Sequence, residues 1–84
     1  MEIKVLGTGC AKCKKLFAEA EEGVRRYGQP VTVVKVEDVK AIMAYGVRQT
    51  PALVIDGRVR STGRIASAEE ISGWLAEPVG KRNG

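Results

Sequence analysis

The stretch that decides the fold reads Glu2-Ile3-Lys4-Val5-Leu6-Gly7-Thr8-Gly9-Cys10-Ala11-Lys12-Cys13. Alternating polar and apolar side chains over residues 2–6 predict a β-strand. The glycine-containing turn at 7–9 ends this strand. A helix is predicted from about Ala11 to Tyr27, because apolar residues recur there every three or four positions. The two cysteines therefore stand at the junction of a strand and a helix.

Downstream of the first helix, the sequence predicts a second strand and a second helix. Val31–Val36 is apolar enough to form a strand that is buried on both faces. Asp38 is placed to cap a short helix whose buried positions would be Val39, Ile42 and Met43.

The second half of the chain predicts a hairpin and a closing helix. Ala52–Ile55 is a wholly apolar strand, Asp56-Gly57 is a two-residue hairpin signal, and Arg58–Thr62 suits a sheet edge. Ser67 and Glu70 form a capping box at the start of a helix whose inward residues would be Ile71, Trp74 and Leu75. The predicted order is β-α-β-α-β-β-α, an α/β fold with a four-stranded mixed sheet and helices on both faces.

Composition and charge narrow the class of protein. The 84 residues suffice for one domain, predicted over residues 1–78, with 79–84 as a flexible tail. The net charge of +4 is too small and too evenly spread to predict a nucleic-acid binder. We see neither a targeting segment nor an apolar run of about 18 residues. We therefore expect a cytoplasmic monomer that binds neither nucleic acid nor a membrane.

The pair Cys10 and Cys13 is the sharpest chemical signal. A close pair of cysteines in a cytoplasmic setting points to redox or metal chemistry rather than to a structural disulfide. A helix N-terminus favours a thiolate, and Lys12, Lys14 and Lys15 add positive charge, so the cysteine pKa should fall from about 8.5 into the range of about 3.5–7.5. Cys10, at the helix end, is predicted to be the nucleophile. Cys13, one turn further in, is predicted to be the resolving thiol.

A second signal is Thr50-Pro51, which precedes the apolar strand. Taken alone, Thr50-Pro51 is equally well explained as an ordinary strand start, since proline cannot donate a hydrogen bond to the sheet and therefore suits the first position of a strand. Together with the strand, the two cysteines, the hairpin and the closing helix, however, it resembles the thioredoxin/glutaredoxin superfamily. The closest resemblance, over residues 2–77, is to the small redox-active disulfide proteins of archaea and bacteria. It is carried by the segments Gly7–Cys13, Tyr45–Val47 and Thr50–Gly57.

The resemblance implies a thiol–disulfide oxidoreductase that needs no cofactor and no metal. The reductase direction is expected from the cytoplasmic setting alone. The resemblance also implies that Pro51 is cis and packs beside the disulfide, and that the Thr50 backbone pairs with substrate. Its partners would be protein disulfides and an upstream reductase or a glutathione-type reductant. The chain departs from the superfamily pattern at three places: Gly9 replaces the usual Trp, Ala11-Lys12 replaces Gly-Pro, and Lys4 stands where thioredoxins keep an acidic residue.

The main alternative is a metal-binding module. The Gly7–Cys13 segment is also similar to the loop of copper-chaperone domains, and two thiolates suit Cu(I). Thr8 stands where that loop has Met, and the chain ends in a predicted helix where that fold needs a strand. Thr50-Pro51 has no role in a copper site. A non-catalytic adaptor is a third reading, but it leaves the cysteine pair unexplained.

Overall fold

The computed structural model describes residues 1–9 and 11–77 and confirms the predicted order of elements. The elements are β1 (Glu2–Leu6), α1 (Ala11–Tyr27), β2 (Thr32–Val36), α2 (Val39–Ala44), β3 (Ala52–Ile55), β4 (Arg58–Thr62) and α3 (Ala68–Leu75). Within the described residues, no helix is long and apolar enough to cross a membrane.

The four strands form one mixed sheet in the order β2-β1-β3-β4. β1 is parallel to β2, as the crossover through α1 requires, and antiparallel to β3. β3 and β4 form the antiparallel hairpin predicted from Asp56-Gly57. β1 and β3 are thus the central strands, and all four residues of β3 are buried.

One face of the sheet carries the larger hydrophobic core, under α1 and α3. Its buried residues are Ile3, Val5, Leu16, Ala20, Leu53, Ile55, Ala66, Ile71 and Leu75. The two helices approach closely because Gly23 faces α3: a Cβ there would lie 2.8 Å from Ile71 Cγ2 and 3.2 Å from the carbonyl oxygen of Ala68. Trp74, predicted to be a core residue, packs against this cluster from a partly exposed position.

The N-terminus of α3 is capped both locally and from α1. The predicted capping box is present: the Ser67 hydroxyl accepts from the Glu70 backbone N–H, and the Glu70 carboxylate accepts from the Ser67 backbone N–H. The Glu19 carboxylate accepts a further bond from the Ala68 N–H at 2.8 Å. These contacts satisfy backbone donors that a helix start otherwise leaves unpaired.

Among the described residues, α2 is the one helix that covers the opposite face of the sheet. The core there is smaller and consists of Leu6, Ile42, Val47, Ala52 and Val54.

Two predictions about this side of the sheet are wrong. β2 is an edge strand without a fully buried residue, so it is not buried on both faces. Val39 and Met43 are 56% and 67% exposed, and only Ile42 of α2 is buried. The helix is rotated so that Ile42 is buried and Ala41 is half-buried, which leaves Val39 and Met43 on its exposed side. Asp38 does precede α2, but its side chain makes no capping bond.

Candidate active site

The cysteine pair is only partly covered by the structure. Cys10, the predicted nucleophile, lies outside the described residues. Cys13, the predicted resolving thiol, lies in the first turn of α1 and is 6% exposed, as expected for the less accessible of the two. Lys12, on the same turn, is exposed to solvent.

The Cys13 sulfur packs against the backbone where β1 ends. A Cβ built on Gly7 would overlap the Cys13 Sγ atom and would lie 3.3 Å from Cys13 Cβ and 3.9 Å from Pro51 Cα. The backbone of Gly7 is not in the left-handed region, so the glycine is required here for space rather than for its conformation. Gly7 therefore belongs to the site, although the sequence assigned it only to a turn.

The sheet register explains why Pro51 joins this contact. Leu6 of β1 pairs with Ala52 of β3 in antiparallel fashion. Gly7 directly follows β1 and Pro51 directly precedes β3, so this pairing places Gly7 beside Pro51. Pro51 is buried and its peptide bond with Thr50 is cis, in agreement with what the resemblance implied. Thr50 itself is exposed, so the chain just before Pro51 faces solvent.

A small cleft of about 50 Å³ opens beside Cys13. Its lining residues come from β1, α1, the turn between them and the end of β2: Val5, Gly7, Gly9, Cys13, Lys14, Lys35 and Glu37. The Gly7 N–H donates to the Val36 carbonyl oxygen at 3.0 Å, which holds the end of β2 against the turn. The cleft thus combines a buried sulfur with two cations and one carboxylate.

Lys35 and Glu37 were missed as site residues in the sequence. The signal that could have found them is their place at the carboxyl end of β2, since the carboxyl ends of parallel strands meet at one edge of a sheet. Lys35 also lies over the ring of Phe17, with its Nζ atom 5.0 Å from the ring centroid. This contact directs the ammonium group toward α1.

Lys4, which stands where thioredoxins keep an acidic residue, does not line the cleft. Its ammonium group donates to the Tyr45 hydroxyl at 3.0 Å and lies 3.8 Å from a carboxylate oxygen of Glu2. The bond to Tyr45, followed by the negative charge of Glu2, raises the pKa of Lys4. Lys4 thus ties β1 to the loop after α2.

No group of three or more metal-ligating side chains occurs within residues 1–9 and 11–77. The copper-type alternative would use Cys10, which is not described, together with Cys13. It therefore stays a hypothesis that no feature of the described residues favours.

Comparison with known proteins identifies the family. A family model described as a thioredoxin domain matches residues 1–76. The chain is 38% identical over 76 residues to a thioredoxin of Methanothermobacter thermautotrophicus, a match that covers 90% of this chain and 99% of that protein. It is 36% identical over 69 residues to a thioredoxin of Methanocaldococcus jannaschii, covering 82% of this chain and 79% of that protein.

The four-stranded mixed sheet with its helices has the architecture of a thioredoxin-like protein. The chain belongs to the thioredoxin domain family. At the level of that family, its class is that of the thiol–disulfide oxidoreductases.

Proposed function

We propose that this protein is a thiol–disulfide oxidoreductase that reduces protein disulfides through Cys10 and Cys13. The observation that carries the proposal is the burial of Cys13 at the start of α1, with its sulfur against Gly7, whose neighbour on the next strand is Pro51. A thiol held in this way is protected from outside reagents and is well placed to act only on a partner already bound to the neighbouring cysteine. That is the requirement for a resolving thiol.

The proposed reaction has two displacement steps. The Cys10 thiolate attacks one sulfur of a substrate disulfide, one substrate thiolate leaves, and a mixed disulfide forms. The Cys13 thiolate then attacks the Cys10 sulfur, and the second substrate thiolate leaves. The substrate disulfide has now been reduced by two electrons, and the Cys10–Cys13 pair has been oxidised to a disulfide. An upstream reductase or a glutathione-type thiol returns the pair to its reduced form. The proposed setting is the reducing cytoplasm.

Lys12, Thr50 and Pro51 have supporting roles in this proposal. The exposed ammonium group of Lys12 stabilises the attacking thiolate of the adjacent cysteine. Thr50 is exposed, and its backbone pairs with the substrate chain. Pro51 is buried beside Gly7 and so limits the space around the Cys13 sulfur.

The proposal is tested by trapping the mixed disulfide. Cys13→Ser should accumulate a covalent adduct with a disulfide protein such as insulin, and mass spectrometry should place the link at Cys10. The matched control is Cys10→Ser, which keeps one thiol but should form far less adduct because the remaining thiol is buried. Wild-type protein should reduce insulin with dithiothreitol as the electron source. Adducts through Cys13 alone, or tight Cu(I) binding without turnover of any disulfide, would refute the proposal.

A further inference from the structure

The cleft beside Cys13 contains a carboxylate without an assigned role. Glu37 follows β2 directly, and its Oε2 atom lies 3.5 Å from the position that a Cβ on Gly9 would occupy. Its side chain therefore folds over the turn that leads into α1. Among the described residues, no hydrogen bond or ion pair engages this carboxylate. It is available to interact with whatever enters the cleft.

The proposed resolving step needs a group that accepts a proton. Cys13 must become a thiolate before it can attack, but at 6% exposure its sulfur has little contact with bulk solvent. Burial disfavours the charged form of a thiol. The proton therefore has to leave through the cleft that Cys13 itself lines.

The titratable groups facing this cleft are Cys13 and Lys14 of α1, Lys35 of β2, and Glu37 just after β2. A protonated lysine side chain has hydrogen-bond donors but no acceptor, so neither lysine can take up a further proton. Glu37 is then the one acceptor side chain among the described lining residues. The cleft volume of about 50 Å³ leaves room for a bridging water molecule.

We infer that Glu37 takes up the proton of Cys13, through a water molecule in the cleft, as Cys13 attacks the mixed disulfide. This inference rests on the proposed function. The proton passes from Cys13 Sγ to the water while a water proton passes to the Glu37 carboxylate. The new sulfur–sulfur bond to Cys10 forms as the substrate thiolate leaves. Glu37 later returns its proton to solvent, to which it is exposed.

A purely electrostatic role for Glu37 predicts the opposite result when its charge is removed. A negative charge near Cys13 opposes the thiolate, so Glu37→Gln would speed up resolution if charge were all that mattered. If Glu37 accepts the proton, the same variant slows resolution by about a hundredfold or more, as expected for loss of a positioned base. The sign of the effect separates the two roles.

The experiment follows the reaction of the reduced protein with an aromatic disulfide, Ellman's reagent, by stopped flow. Attack by Cys10 releases a first coloured thiolate, and resolution by Cys13 releases a second. Glu37→Gln should slow only the second phase, and formate should restore that phase in Glu37→Ala. The matched control is Asp38→Asn, which removes the neighbouring carboxylate that does not line the cleft and should leave both phases unchanged.

The outcomes are distinct. A second phase that is unchanged or faster in Glu37→Gln, or a slow phase in Glu37→Ala that formate does not restore, overturns this inference alone. Absence of a second phase in the wild-type protein overturns the proposed function and this inference with it.

Discussion

Replacing Gly7 by alanine tests whether the Cys13 sulfur is held by the close approach of the β1 backbone. The added Cβ would overlap Cys13 Sγ and lie 3.3 Å from Cys13 Cβ. Cys13 Cβ is fixed in the first turn of α1, so the sulfur must change rotamer or the turn must shift away from the helix. Because the backbone at Gly7 is not in the left-handed region, alanine itself causes no conformational strain there.

The expected loss of stability can be bounded from two opposing effects. Overpacking a tight site typically costs about 1–3 kcal/mol, and we take the middle value of about 2 kcal/mol. Reducing the freedom of the unfolded chain by a Gly-to-Ala change returns about 0.4–1 kcal/mol. The net destabilisation is therefore about 1–1.5 kcal/mol. For a domain of this size, that lowers the thermal midpoint by roughly 5–10 °C.

Thermal unfolding of the reduced protein measures this loss of stability. A double-mutant cycle shows whether the loss comes from the contact with the Cys13 sulfur. Gly7→Ala should cost clearly less in a Cys13→Ala background, because the overlapping sulfur is then gone. The matched control is Gly73→Ala in α3, where nothing lies within 4 Å and helix propensity predicts a gain of about 0.5–1 kcal/mol. Gly7→Ala should also slow mixed-disulfide resolution. A stable Gly7→Ala variant with normal resolution, or equal costs in both backgrounds, would show that the sulfur is not held at this contact.

Three further substitutions test other parts of the molecule. Lys12→Glu should raise the pKa of the Cys10 thiol, measured by the pH dependence of iodoacetamide labelling; an unchanged value would show that Lys12 does not stabilise the thiolate. The Arg64 guanidinium, followed by the Ser67 backbone N–H, lowers the pKa of Glu70 from 4.5 to about 2. The stability contributed by the Glu70 carboxylate is therefore complete above about pH 4.5 and is lost as the pH falls toward 2. Glu70→Gln should remove this part of the acid dependence in thermal unfolding, and a curve that stays parallel to wild type would contradict the assignment. The buried Ser61 hydroxyl has no hydrogen-bond partner among the described residues, so Ser61→Ala should stabilise the fold by about 1 kcal/mol in urea unfolding, whereas a clear loss would reveal a partner.

Sequence reasoning was most accurate where the signal is local. The alternation in Glu2–Leu6, the helical period of Ala11–Tyr27, the hairpin at Asp56-Gly57 and the capping box of Ser67 and Glu70 all appear in the structure as predicted. Each of these signals depends on residues close together in the chain. Backbone conformation and capping respond mainly to such neighbours, so they can be inferred without knowing the rest of the fold.

The order of the strands and the contents of the site required the tertiary structure. The valine-rich β2 looks doubly buried by composition, but its position at the sheet edge leaves it half-buried. Gly7 meets Cys13 only because the register of β1 and β3 brings that backbone beside the helix start. Glu37 reaches the same cleft only because β2 runs parallel to β1. By itself, the sequence determined the helices, the strands and the cysteine pair. The contacts around Cys13 needed the tertiary structure, because they join residues far apart in the chain and a local hydrophobic pattern does not encode such pairings.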